Sequence, residues 1–368
     1  MKKINFFYLS LCIAGVFTFS ACNDKDDVTP IDNRLPEDMG LFVLNEGTLG
    51  SSSNLGFFSY GTNEYTDDIY TGLGQGANDL VVYGSKVYIS VTDGNQVLVL
   101  DARTKEKLKV LDISLPRYLL AYKGKVYVTS HGENKLTEID TTSSFSTRSV
   151  PVGRTPEQLT TTDGKIYVTN SGWRDALNGG DYDNHISVVN PTTMTIVKDI
   201  TVAKNISTIA ADTVNNVLYV NASAIYDGTE ISTPSKLYTV NTATDEIYDK
   251  FTFGAEKIVV VPEYKRAYFI SSNRTTDDKN TFGSINIDNN NVQNITVANA
   301  DIKQPYSLSF VPEIGRLIVG DAKNFSESGS MFVLGWYQSS GDLGLEYSMG
   351  VGVSPLKFGF TYGSYTGN

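Results

Sequence analysis

Tyr83-Gly84-Ser85-Lys86-Val87-Tyr88-Ile89 sets a tight polar turn before an apolar–aromatic–apolar triplet, and the same pattern returns along the chain. It reappears as Val126-Tyr127-Val128, Ile166-Tyr167-Val168, Leu218-Tyr219-Val220 and Ala267-Tyr268-Phe269, and in a weaker form as Leu317-Ile318-Val319. Leu41-Phe42-Val43 is the first copy. The centres fall at 42, 88, 127, 167, 219, 268 and 318, so neighbouring copies lie 39 to 52 residues apart. Self-similarity at that period marks a repeat architecture.

Each unit holds four strand-like runs. In the second these are Asp79–Tyr83, Lys86–Ser90, Gln96–Asp101 and Leu108–Ile113. The third run tends to end in Asp or Asn, at Asp101, Asp140, Asn190, Asn241 and Asp288. Short β-type runs broken by turns indicate an all-β fold. Four strands in each of seven repeats predict a seven-bladed β-propeller over residues 39–368. The first unit starts on a second-strand copy at Gly40–Asn45, and Leu356–Phe360 reads as a first-strand copy. The ring is therefore expected to close with strands from both termini, residues 356–360 completing the blade begun by 40–70. Such closure removes an open edge.

Composition narrows the function. The chain has 368 residues with 30 Lys+Arg against 41 Asp+Glu, a net charge of −11. An acidic surface argues against nucleic-acid binding, which relies on neutralising phosphates. Two cysteines and two histidines nearly exclude zinc centres and disulfide scaffolds. No nucleophile–base pair, glycine-rich phosphate loop or paired-carboxylate motif is visible, so binding is expected rather than catalysis, with no cofactor or metal.

The N-terminus reads as an address. Lys2 and Lys3 precede an apolar stretch from Ile4 to Phe19, followed by Ser20-Ala21-Cys22. That stretch falls short of the ~20 residues of a spanning helix, and small residues before a cleavage point suit a secretory signal over 1–21. Cys22 resembles the lipidated cysteine of a bacterial lipobox, with Phe19 where Leu is usual. Asn23-Asp24-Lys25-Asp26-Asp27 resembles the surface-export signal of Bacteroidota lipoproteins. Residues 22–38 are expected to form an acidic flexible tether, with a lipid anchor as the only membrane attachment.

One face of the ring carries longer loops. The turns between first and second strands are short throughout, whereas the loops Ser171–Asn184, Ser223–Ser235, Ser272–Thr281 and Asp321–Gly329 are long. Elaborated loops on a rigid scaffold are where function concentrates. They carry Trp173, Arg174, Tyr182, Tyr226, Arg274 and Phe325, and aromatic and Arg side chains are the commonest binding anchors. Asp175, Asn178, Asp181, Asp183 and Asn184 make a carboxylate-rich run open to two readings, a calcium loop or a solvated one. At the starts of the first strands, Asp79, Arg117, Glu157, Ser207, Lys257, Tyr306 and Leu356 are expected to rim the channel, the acids ion-paired with Arg117 and Lys257. Tyr118 stands beside them, and His131 is the one imidazole in a short top loop.

Leu44-Asn45-Glu46-Gly47, Gly74-Gln75-Gly76-Ala77-Asn78-Asp79 and Tyr83–Ile89 together resemble the opening of the YncE-like propeller lipoproteins of Bacteroidota, and within them the BtuG-like cobalamin-binding group. The resemblance covers roughly residues 39–360. It implies capture of vitamin B12 or related corrinoids at the cell surface and delivery to an outer-membrane TonB-dependent transporter of the BtuB type. A propeller lipoprotein that binds a glycan or a protein partner is an alternative, as is a metal-dependent lactonase-like hydrolase.

Overall fold

The computed structural model describes residues 37–272, 280–337 and 342–362. The signal segment, Cys22, most of the tether and Arg274 lie outside the described residues.

The repeated triplet explains the architecture. In a strand, successive side chains point to opposite faces. The middle residue of each triplet therefore faces one neighbouring blade and its two flanking residues face the other. Tyr88 is buried with Val126 and Val128 of the next triplet, Tyr127 with Ile166 and Val168, and Tyr167 with Leu218 and Val220. Tyr219 joins Ala267 and Phe269, and Tyr268 joins Leu317 and Val319. Ile318 carries the pattern back to Leu41 and Val43, while Phe42 meets Val87 and Ile89. The core is thus a ring of seven inter-blade layers, and the ring is closed.

Seven four-stranded antiparallel sheets are present among the described residues, arranged as a β-propeller. The blade that joins the two ends pairs Pro355–Thr361 with Gly40–Asn45, then Asn54–Ser59 and Glu64–Thr66. The second blade runs Ala77–Tyr83, Lys86–Val91, Gln96–Asp101 and Lys107–Asp112. The loop after Val217–Ala222, read from sequence as a long loop, carries a ribbon of Ile225–Asp227 and Glu230–Thr233.

The recurring Asp or Asn has a local cause. Asp101 Oδ1 accepts the backbone N–H groups of Arg103 and Thr104, and Asn190 and Asn241 Oδ1 each accept the N–H groups two and three residues on. An Asx side chain that satisfies its own turn is favoured there. In the sixth blade this residue is Asn286, not Asp288: Asn286 Oδ1 accepts the N–H groups of Asp288 and Asn289. The expected position was two residues late because Asp288 lies inside the turn.

Candidate functional site

Most first strands begin with a β-bulge, and this sets the rim. Register shifts lie between Ala77 and Asp79, Pro116 and Leu119, Pro156 and Leu159, Ile206 and Thr208, and Pro305 and Ser307. Pairing with the second strands then defines two tiers. Arg117, Glu157, Ser207, Tyr306 and Leu356 share the upper tier with Asn78 and Glu256. Asp79, expected beside them, opposes Ser90 one residue deeper, and Lys257 opposes Ile270 at the same depth. The one-step correction arises because Ala77, paired with Val91, and not Asn78 is the equivalent of Pro116, paired with Ser130, and Lys257 is likewise one place further along its strand.

The upper tier opens into a cavity of about 310 Å³ lined by Arg117, Tyr118, Glu157, Trp173, Asn205 and Glu256, among others. Trp173 reaches it from a short helix, Trp173–Leu177, which starts from Gly172 at φ 64°. A side chain at Gly172 would meet the Asp183 backbone nitrogen at 2.1 Å, so glycine is required.

Glu157 organises the cavity. It is buried, its Oε1 accepts the Trp173 indole N–H at 2.8 Å, and its Oε2 stands 3.5 Å from Arg117 Nε. Burial alone would push this carboxyl up, but Arg117, His131 and Trp173 together outweigh burial and hold it below the usual carboxylate range. Arg117 also lies over the Tyr118 ring at 5.5 Å, and Arg174 over Trp173 at 5.4 Å. His131 sits behind this group, 5% exposed and edge-on to Trp173 at 5.9 Å. Its Nε2 is 3.2 Å from Glu157 Oε1, off the line of a hydrogen bond, and burial holds its pKa below the ordinary value. It supports Trp173 and is not presented to the cavity.

The other expected residues separate into groups. Tyr306 donates to Glu46 and meets Phe325 edge-on at 5.4 Å. Phe325 and Glu46 line a second top-face cavity, of about 270 Å³, between the first, second and last blades. Tyr182 is half-buried in its loop, and Tyr226 lies on the exposed ribbon. Asp79 bonds Lys357 at 3.1 Å; Lys257 has no carboxylate at ion-pair distance among the described residues, contrary to the expected pairing. The acidic loop is committed internally. Arg154 binds Asp175 at 3.1 Å, Lys204 binds Asp181 at 2.9 Å, and His185 Nδ1 meets Asp183 at 2.5 Å. No cluster suited to a metal ion occurs among the described residues. Glu46, Glu256, Asn205 and Lys357 escaped sequence reading, since each depends on the bulges or on a loop that carries no aromatic anchor.

Fold and cavity together define a seven-bladed propeller with an aromatic and hydrogen-bonding pocket on its long-loop face. Residues 39–211 match the profile of a family described as a domain of unknown function, DUF5074. No curated protein matches the sequence. Among solved structures, the chain is similar to a Bacteroides uniformis protein provisionally described as a 6-phosphogluconolactonase, at 14% identity and TM-score 0.59, over 88% of this chain and 100% of that one. It is also similar to a Lactobacillus plantarum protein at 11% identity and TM-score 0.60, over 88% and 99% of the two chains. AztD of Citrobacter koseri aligns at 11% identity and TM-score 0.53, over 88% and 97%. At these identities the likeness is one of fold. No helix among the described residues is long and apolar enough to cross a membrane.

Proposed function

We propose that this propeller is a lipid-anchored, surface-exposed binding protein that captures vitamin B12 or a related corrinoid on its long-loop face and passes it to an outer-membrane TonB-dependent transporter. The observation that carries the reading is the 310 Å³ cavity, where Trp173, Tyr118 and Arg117 stand beside Asn205 and a Ser207–Ser223 hydroxyl pair at 2.6 Å. A corrinoid is partly flat and rich in amides. Its rim amides suit the hydroxyl and carboxamide groups, and its flat body suits the aromatic wall. The cavity is too small for a whole corrinoid, so the ligand would seat one edge in it and rest on the surrounding loops. Glu157 serves this role as a fixed anion that orients the Trp173 indole. With its oxygens held by Trp173 and Arg117, it is poorly placed for proton transfer.

Calorimetry with cyanocobalamin tests the reading directly. Saturable binding is expected, with quenching of the fluorescence of Trp173 and Trp336, the two tryptophans of the chain. Trp173→Ala should weaken binding by about 2 kcal/mol, roughly 30-fold, if the indole is a hot spot. Trp336→Phe should retain the affinity, because Trp336 is stacked on Tyr264 at 4.0 Å, away from the cavity. Absence of corrinoid binding, with a glycan bound instead in a Trp173-dependent way, would replace this reading by the glycan one. For the anchor, Cys22→Ala should release the protein from membranes, and protease added to intact cells should digest the wild type. Full protection in intact cells would exclude surface exposure.

A further inference from the structure

Deeper than the upper cavity, the channel holds another cavity of about 170 Å³, lined by Asp79, Tyr118, Gln158, Lys257, Lys357 and a set of aliphatic side chains. Its polar groups can be accounted for one at a time. Asp79 Oδ1 accepts the Leu80 N–H at 2.9 Å and faces Lys357 at 3.1 Å, and its Oδ2 accepts the Leu119 N–H at 2.9 Å. The Gln158 carbonyl accepts the Ile209 N–H at 3.3 Å. In the same tier, Thr208 donates to the Glu256 carbonyl at 3.0 Å and Ser307 to the Pro355 carbonyl at 2.6 Å. The Asp79 and Gln158 acceptors are therefore engaged, and Asn78, also in the lining, donates its Nδ2 to the Arg117 carbonyl at 3.0 Å.

The charged groups left to offer are donors. An ammonium has three protons and no acceptor. Lys257 is half-buried, and no carboxylate lies at ion-pair distance from it among the described residues. Lys357 uses one side of its ammonium on Asp79. Burial, the largest cause, and then Lys357 and Arg117 push the Lys257 pKa below its ordinary value, against the opposing pull of the Glu46 and Asp79 carboxylates. Within the lining, two lysines stand against one carboxylate that is already bonded, and a partly buried ammonium without a paired anion is costly. The remaining wall is aliphatic, with Leu119, Leu159, Ile209, Ile258 and Leu308.

We propose that this channel cavity is a second binding site, for a small organic carboxylate whose head lies between Lys257 and Lys357 and whose short alkyl body packs on Leu119, Ile209, Ile258 and Leu308. Charge-assisted hydrogen bonds to the carboxylate fix the head. The apolar wall distinguishes such a ligand from an inorganic anion, which gains nothing from Leu or Ile. The site stands independently of the corrinoid reading, because it is lower in the channel and does not involve Trp173.

Calorimetry of the full chain with acetate, propionate, butyrate, phosphate and chloride at matched ionic strength reads it out. Saturable binding is expected, with affinity rising from acetate to butyrate and with phosphate and chloride weak. Lys257→Met should weaken butyrate binding about tenfold or more, the scale of a lost hydrogen bond to a charged group. Lys257→Arg, which keeps the charge, should retain most of it, and Trp173→Ala should leave it unchanged. The proposal fails if no carboxylate binds saturably, if phosphate or chloride matches butyrate, or if folded Lys257→Met binds as wild type does. Loss of butyrate binding in Trp173→Ala would place the carboxylate in the upper cavity and overturn it equally.

Discussion

Five triplets centre on tyrosine, but the hydroxyls meet different surroundings. Tyr127 Oη donates to Glu138 at 3.1 Å, and Tyr268 Oη accepts from Trp336 Nε1 at 2.7 Å. Those of Tyr88 and Tyr167 are buried with no protein partner, and burial pushes the pKa of each up to about 12. Since an unmatched buried hydroxyl costs free energy, Tyr167→Phe should raise stability by about 1 kcal/mol, whereas Tyr127→Phe should lower it by a similar amount. Urea unfolding midpoints of the two variants would show opposite shifts; a loss of stability in Tyr167→Phe would reveal a partner for its hydroxyl. A pH test applies to His185, whose pKa is raised above 6.5, chiefly by its hydrogen bond to Asp183. Its contribution is fully present below pH 6.5 and is lost as pH rises through the higher folded value, because the folded state then holds the extra proton. His185→Gln should flatten that alkaline decline in a pH series of melts. An unchanged slope would mean that another group causes the decline. Both cases show what a sequence conveys at this scale. The pattern places Tyr167 in a strand and Asp183 in a loop, but whether a neighbour satisfies a hydroxyl or a carboxylate depends on the next blade.

The strand pattern was legible because it is local and periodic. The triplets mark the second strands, Gly84-Ser85 and its equivalents mark the turns before them, and a recurring Asp or Asn marks the ends of the third strands. Asp101→Ala should cost about 1 kcal/mol, because two backbone N–H groups lose their acceptor, while Asp101→Asn should be close to neutral. Guanidinium titrations would separate the two, and equal losses would assign the effect to the charge rather than to the turn. The bulges were not legible. Four of them or their equivalents are announced by Pro116, Pro156, Pro305 and Pro355, but the second blade starts instead with Ala77, which carries no special backbone requirement. Reading Asn78 as the equivalent of those prolines displaced Asp79 by one place, and the same slip displaced Lys257. Two predicted rim residues therefore belong to the channel. The cavity residues Arg117, Tyr118, Glu157 and Trp173 survived this, three because a proline fixed their register and Trp173 because its loop length marked it.

At the scale of the whole ring, closure depends on a single strand. Pro355–Thr361 supplies the inner edge of the first blade, pairing with Gly40–Asn45 from Gly40↔Thr361 to Asn45↔Pro355. Phe358 and Phe360 from this strand are 4% and 6% exposed in the layer that also holds Leu41, Val43 and Ile318. Lys357 reaches across to Asp79 in the second blade, and Ser307 of the last blade donates to the Pro355 carbonyl. Removing the chain after Val353 would leave Gly40–Asn45 as an unpaired inner edge, open to association with other chains. Each lost phenylalanine removes about 1.5–3 kcal/mol of burial, against a total stability of ~5–15 kcal/mol for a domain. The backbone pairing and the two cross-blade contacts go with them. The truncated chain should therefore fail to melt cooperatively and should aggregate, as followed by calorimetry and light scattering. Because the lost element is one continuous strand, a synthetic peptide of residues 354–362 added during refolding should restore a cooperative melt. A truncated protein that stays soluble with an unchanged melting temperature would show that the seven inter-blade layers hold the ring without this strand.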